Sequence, residues 1–326
     1  MITNTSDISL AVAVWLLHDN YDHISQANYI SATSLMKPLR HIVLAPRVDR
    51  ASRPMDVQDF IPRALGNSIH DSIEAAWTNG HARSLKLMGH PDSVIERIKI
   101  NPTDAEVRGS NSIIPIYLEQ RAFREHKGYT IGGKFDMVTD GQVQDVKSTS
   151  AYTWLHGGKD ADYQLQMSLY RWIDAAQPLP KITEDYGRIN FVFTDWQKVA
   201  ARSNPKYPQQ RVEHKEIPLL SLKDTQHWVE AKLALIQKHL DTPEHELPEC
   251  SDEELWRSDP VFKYYADPTK TAGKSTKNFN NMNDARVYQS SEKAGKGIIK
   301  TVPGSPKRCD YCEAFSICTQ KDQYFS

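Results

Sequence analysis

The segment Gly132–Thr149, GGKFDMVTDGQVQDVKST, decides the reading of this chain. Asp140-Gly141 is the kind of dipeptide that closes a two-residue hairpin. With those residues as the loop, Asp136 faces Asp145 and Lys134 faces Lys147 across the turn. Side chains alternate along a strand, so two carboxylates about 5 Å apart at Cβ share a face with two lysines. Like charges directly opposite one another destabilise a sheet. A solvated surface hairpin tolerates them, but Phe135, Met137, Val143 and Val146 give this pair the content of a buried one. Two buried carboxylates need a cation between them, and hard oxygen ligands suit Mg²⁺ or Mn²⁺. Such an ion activates water and stabilises charge on a phosphoryl oxygen, and a neighbouring lysine assists the same step.

Around the hairpin the texture is that of an α/β core. Upstream, IIPIYLEQRAF reads as a strand from Ile113 onward. Downstream, DADYQLQMSLYRWIDAA predicts a helix over about 160–176, followed by the strand RINFVFTDW and a weaker strand RVEHKEI. Trp228, Val229, Leu233, Ile236 and Leu240 mark the apolar face of a further helix. Residues 1 to about 110 read as mostly helical, with Ser34–Leu44 and Ala64–Trp77 at three- and four-residue spacing. Met88–Ser112, rich in Pro, Gly, Asn and Asp, reads as loop. Everything after Cys250 reads as irregular, polar and Lys-rich. The expected organisation is a helical region over 1–110, a core over 111–240 and a cysteine-bearing region over 241–326.

The 326 residues carry 40 Lys+Arg against 41 Asp+Glu, which excludes a strongly basic, histone-like character. A local basic face is still enough to hold phosphates. Between Val261 and Arg308 there are ten Lys or Arg and three Asp or Glu, a surplus of seven, interleaved with Tyr264, Tyr265, Phe279 and Tyr288. Positive charge with aromatics suits a single strand whose bases stack, and equally a solvated loop. No stretch approaches eighteen apolar residues, so no membrane span is expected. The opening segment reads as a helix and not as a secretory signal, and a cytoplasmic protein is expected.

The motifs together resemble a family. A strand Asp, a turn and Asp-x-Lys, here Asp136 followed by Asp145-Val146-Lys147, is the signature of the PD-(D/E)XK nuclease fold. Gln166-Met167-Ser168-Leu169-Tyr170 resembles the Q-x-x-x-Y motif of the RecB-type members. Leu65-Gly66-Asn67-Ser68-Ile69-His70 resembles the helix that supplies their metal-binding histidine. The resemblance implies a restriction-endonuclease-like mixed central sheet flanked by helices. It implies Asp136, Asp145 and Lys147 as catalytic residues, and His70, Asp136, Asp145 and the Val146 carbonyl as ligands of Mg²⁺ or Mn²⁺. It also implies DNA contacts from Gln166 and Tyr170, which share one helical face. Residue by residue, blander roles stay open: a core aromatic for Tyr170, a structural histidine for His70, a solvated charge for Lys134. Glu74 and Glu119 are candidates for the surroundings of the site.

The four cysteines, Cys250, Cys309, Cys312 and Cys318, all lie in the last quarter. In a chain expected in the cytoplasm, C-x2-C with further cysteines nearby suggests metal ligation more than a disulfide. The C-x2-C-x5-C run resembles the C-terminal triplet of iron–sulfur nucleases of the AddAB and CRISPR-associated kinds, and with Cys250 implies a [4Fe–4S] cluster. Those relatives place one cysteine before the core, and this chain has none there. A structural Zn²⁺ site is the alternative. The expected function is a metal-dependent deoxyribonuclease, an exonuclease on DNA ends or single strands in recombination, repair or replication. The alternatives are an endonuclease, a CRISPR-type end-trimming enzyme and a non-catalytic DNA-end-binding partner. With no Walker A motif in the chain, unwinding would need a helicase or recombination partner.

Overall fold

The computed structural model describes residues 2–19, 22–49, 55–156 and 159–325. Contacts divide the chain into two units, Met1–Met36 with Arg50–Ala234, and Lys37–Asp49 with Leu235–Ser326.

The main elements of the first unit, in order and leaving aside its short helices, are β1 (Ile2–Thr3), α1 (Leu10–Leu17), β2 (Tyr29–Ser31), β3 (Met55–Asp56), α2 (Ile61–Leu87), β4 (Ile98–Ile100), β5 (Ile114–His126), β6 (Tyr129–Thr139), β7 (Gln142–Thr149), α3 (Asp160–Asp174), β8 (Tyr186–Phe193), β9 (Val212–Pro218) and α4 (Leu222–His239), which runs on into the second unit. A seven-stranded mixed sheet has the order β4-β5-β6-β7-β8-β9, with β2 paired to β6 off that path. The β7–β8 pair is parallel, which requires a crossover, and α3 supplies it. This is the α/β fold with a mixed central sheet and flanking helices that the motifs imply.

Local chemistry explains the elements. Asp140 and Gly141 both have positive φ, +51° and +76°, as a type I′ hairpin turn demands. In α3, Asp160 and Asp162 sit in the first turn and Arg171 in the last, each favourable to the helix dipole. Its second half is buried all round, every residue from Met167 to Asp174 and among them the large apolar Met167, Leu169, Trp172 and Ile173, and the helix packs against β5, β6, β8 and β9. Each such burial is worth about 1.5–3 kcal/mol. Pro62 starts α2, where its missing N–H costs nothing.

Three expectations need correction. Met88–Ser112 is not simply loop: it holds helices over Asp92–Ile95 and Asp104–Gly109 and strand β4. Its Thr103 and Glu106 form a capping box, each side chain accepting the other's backbone N–H, so these polar residues start a helix. Leu240, assigned to the apolar face of α4, lies beyond its end and is exposed, whereas Val229, Leu233 and Ile236 are buried.

The third correction concerns the second unit. The segment after Cys250 contains strands β10 (Val261–Tyr265), β11 (Lys277–Phe279) and β12 (Ile298–Val302), ordered β11-β10-β12, with helix α5 (Met282–Val287) beside them. Tyr264, Tyr265 and Tyr288, expected as stacking surfaces for DNA bases, are buried. The Tyr288 ring lies 5.2 Å from those of both Tyr264 and Phe279. A small sheet with few aliphatic residues uses its aromatics as core.

Candidate active site

The site forms where the central sheet loses its regularity. The β6–β7 ladder runs through Thr139–Gln142, Val138–Val143 and Met137–Gln144, as the Asp140-Gly141 turn dictates. Beyond that point β7 pairs with β8. The Asp136 carboxylate takes over where the ladder stops, accepting the Val146 N–H at 2.9 Å. On the other side of β6, the β5 ladder pairs Leu118 with Met137 and Gln120 with Phe135 but skips Glu119 and Asp136 between them. Glu119 there has φ +50°. Lys134 pairs with Arg121 in the ladder, not with Lys147, and its ammonium lies 2.6 Å from Glu119 Oε2.

Two glycines bring aromatic rings down onto β6. A Cβ on Gly132 would stand 2.6 Å from the Tyr29 ring, and one on Gly133 would stand 2.8 Å from the Tyr170 ring. Close approach, not a special φ, is what requires glycine here.

His70, on α2, completes a trio with the two strand carboxylates. Its Nδ1 lies 3.3 Å from Asp136 Oδ2 and 3.7 Å from Glu119 Oε1. One ligand atom from each of His70, Glu119 and Asp136 falls within 4.8 Å of the others, the one such set of histidine, cysteine or carboxylate ligands among the described residues. Burial, and then the charge of Asp145, push the Asp136 carboxyl up to about 7, against the pull of His70, the Val146 N–H and Lys147. His70 is also raised, first by its contact with Glu119 and then, against burial, by the charge of Asp136. A site that holds a proton between an imidazole and carboxylates is one that a cation can enter by displacing that proton. One nitrogen and two carboxylate oxygens fit a divalent ion.

Asp145 and Lys147 form an adjoining pair. Asp145 is 1% exposed; its Oδ2 lies 2.7 Å from the Lys147 ammonium and its Oδ1 accepts from Gln166 Nε2 at 3.2 Å. Gln166 Nε2 also donates to the Tyr170 hydroxyl at 2.9 Å. Burial works against the Lys147 ammonium, but Asp145 and Asp136 outweigh it and its pKa is raised, so it stays charged. The residues named from sequence are thus brought together in two linked groups, with Asp145 in the lysine group. Val146 joins through its N–H. Glu74 lines a small neighbouring cleft with His70 and Glu119.

Glu119 is the member that sequence reasoning left at the margin. A signal for it exists: Lys127 and Gly128, both at positive φ, close the β5–β6 hairpin, and treating them as a two-residue turn puts Glu119 opposite Asp136.

In the second unit, Cys250, Cys309, Cys312 and Cys318 line one cavity of about 30 Å³ together with Arg40 and His41. Arg40 Nε donates to Cys318 Sγ at 3.2 Å, and Cys312 Sγ lies 3.6 Å from His41 Nδ1. Gln320 clamps the Cys250 backbone, accepting its N–H and donating to its carbonyl, both at 2.9 Å. Burial pushes the Cys250 thiol up to about 12 and the Cys309 thiol to about 11. The four thiols share this cavity, but no three of their sulfurs come within 4.8 Å of one another, and only a bound cation would make such raised thiols ligands at neutral pH.

These features are those of a nuclease built around a strand-borne acidic site. The chain belongs to the PD-(D/E)XK nuclease superfamily, whose family model matches residues 59–319. Among solved structures, that of SSO0001 is similar with a TM-score of 0.40 and 14% identity, over 66% of this chain and 79% of that one. A phage-related exonuclease from Haemophilus somnus 129PT is similar with a TM-score of 0.26 and 14% identity, over 53% of this chain and 80% of that one. No curated protein matches the chain. Among the described residues, no helix is long and apolar enough to cross a membrane.

Proposed function

We propose that this nuclease is a Mg²⁺- or Mn²⁺-dependent deoxyribonuclease of the RecB-like kind, acting as an exonuclease on DNA ends or single strands. The observation that carries the reading is the convergence of His70, Glu119 and Asp136 in a cavity of about 550 Å³ that Lys134 and Lys147 also line. His70, Glu119 and Asp136 would hold the ion, with Asp145 beside them. When bound, a divalent ion supplies a Lewis acid that activates water and offsets phosphoryl charge. Lys147, kept cationic by Asp145, offers an ammonium to the phosphate as negative charge builds on it. Gln166 orients Asp145 and, with Tyr170, offers polar groups to the DNA backbone. The imidazole ligand favours Mn²⁺ over Mg²⁺.

Two further parts belong to this reading. The seven-charge surplus of Val261–Arg308 gives DNA a basic surface, so binding should weaken steeply with salt. The four cysteines would hold a [4Fe–4S] cluster, with Zn²⁺ as the alternative. A brown protein, purified without oxygen and absorbing near 400 nm (about the range of iron–sulfur chromophores), supports the cluster; colourless protein with stoichiometric zinc rules it out. A helicase or recombination protein is the partner that would feed it unwound ends.

The test is digestion of end-labelled single-stranded and duplex DNA with Mn²⁺, Mg²⁺ or EDTA, by the protein and by Asp136→Asn. Release of mononucleotides or short oligomers from one end, abolished by EDTA and by the substitution, is expected. Cleavage that survives both would sink the assignment. Tight DNA binding with no cleavage in any metal would favour a non-catalytic end-binding role.

A further inference from the structure

We propose that Trp15 is a base-stacking residue of the active-site cavity, so that the site accepts an unpaired nucleotide in preference to a paired one. The inference rests on the nuclease reading above and narrows its substrate. The cavity that contains His70, Glu119 and Asp136 is also lined by Trp15, His18 and Tyr29, residues that precede the nuclease motifs in the chain. Its volume, about 550 Å³, is that of a small-molecule site, for which about 300–1,000 Å³ is usual. The carboxylates and lysines take the phosphate end of a nucleotide. The aromatic side chains leave a place for its base.

Trp15 lies on α1, LAVAVWLL, in which only Ala13 and Leu16 are buried. Leu10, Val14 and Leu17 of this helix are exposed as well, so an apolar surface residue is the plainer reading of the indole. Trp15 differs in its position: of the α1 residues it alone lines the cavity, and it is 41% exposed. The helix is held firmly in that place. Ala13 and Leu16 pack with Val57 and with Ala64 of α2, the helix that carries His70. The Asp56 carboxylate accepts from the hydroxyls of Thr3, Thr5 and Ser6 and from the Thr5 N–H. Asn4 and Ile8 exchange two hydrogen bonds just before α1 begins. A rigidly carried, half-exposed indole beside a phosphate-binding centre is a stacking platform, since every base has a π-face. Bases inside a duplex are already stacked and paired, so such a wall selects unpaired ones.

The experiment is binding of a fluorescent ten-nucleotide single strand, with Ca²⁺ in place of the catalytic ion, and of strands in which one abasic nucleotide is walked through every position. Wild-type protein should lose about ten-fold in affinity when the abasic nucleotide reaches one particular position, the size of a single stacking contact. Trp15→Ala should weaken the intact strand by a similar factor and be blind to that position; Trp15→Phe should keep most of both effects. Should Trp15→Ala not fold, Trp15→Leu keeps the apolar bulk without the ring and is expected to behave as Trp15→Ala. A wild-type protein that does not bind the strand, or is indifferent to every abasic position, overturns the proposal, as does a ringless variant that retains the sensitivity. Failure of the nuclease reading shows separately, as absence of metal-dependent cleavage by the wild-type protein.

Discussion

Glu119 and Asp136 stand opposite each other at the one place where the β5 ladder skips a pair, and Glu119 reaches that place at φ +50°. A left-handed backbone costs a non-glycine residue about 1–2 kcal/mol. It takes Glu119 out of the ladder, and the carboxylate there faces both His70 and Lys134. Glu119→Gln keeps the shape and removes the charge. Mn²⁺ affinity should fall at least about ten-fold by calorimetric titration, while the metal-free thermal midpoint falls only modestly, through loss of the Glu119 ion pair with Lys134. Undiminished Mn²⁺ binding would remove Glu119 from the site.

The pH dependence has a definite sign. Asp136 titrates at about 7 in the folded protein against an ordinary 3.8, so the folded state holds this proton more tightly than the unfolded chain. The stability it contributes is present below about 4 and is lost as pH rises through 7. A bound ion replaces that proton, and the raised His70 must also release one. The rise in melting temperature on adding Mn²⁺ should therefore be larger at pH 8 than at pH 6. Equal shifts at both pH values would contradict the arrangement.

Gly133→Ala places a methyl 2.8 Å from the Tyr170 ring, too close for any real contact. The ring is buried and joined to Gln166, so it has little room to yield. A loss of about 1–3 kcal/mol in urea unfolding is expected, with lower activity because Gln166 contacts Asp145. A fully stable Gly133→Ala protein would mean the ring moves freely.

Asp174, at the end of α3, is fully buried and accepts the backbone N–H groups of Lys181 at 2.6 Å and Ile182 at 2.7 Å. Asp174→Ala leaves both donors without their acceptor and should cost about 2–4 kcal/mol of stability. Metal binding by His70, Glu119 and Asp136, none of which Asp174 is hydrogen-bonded to, should be unchanged, which distinguishes this scaffold role from a direct one. A change in Mn²⁺ affinity without loss of stability would refute it.

Short-range patterns carried much of this protein. Asp140-Gly141 fixed the β6–β7 register because only a two-residue turn with both φ positive fits it, and alternation then set the neighbourhood of Asp136 and Asp145. Four residues of helix set Gln166 beside Tyr170. Polar composition reads as loop, yet caps such as Thr103 start helices within it, and aromatics of the second unit form core.

Sequence by itself determined the hairpin, the α/β alternation and the residue types able to hold a cation, because turn chemistry and side-chain periodicity are local. Tertiary structure alone decided that β7 leaves β6 after the Met137–Gln144 pair, that His70 of α2 meets Glu119 and Asp136, and that Trp15 shares their cavity. Those outcomes depend on which strand edges and helix faces meet across long stretches of chain. Packing of the whole core sets that, and no window of neighbouring residues contains it.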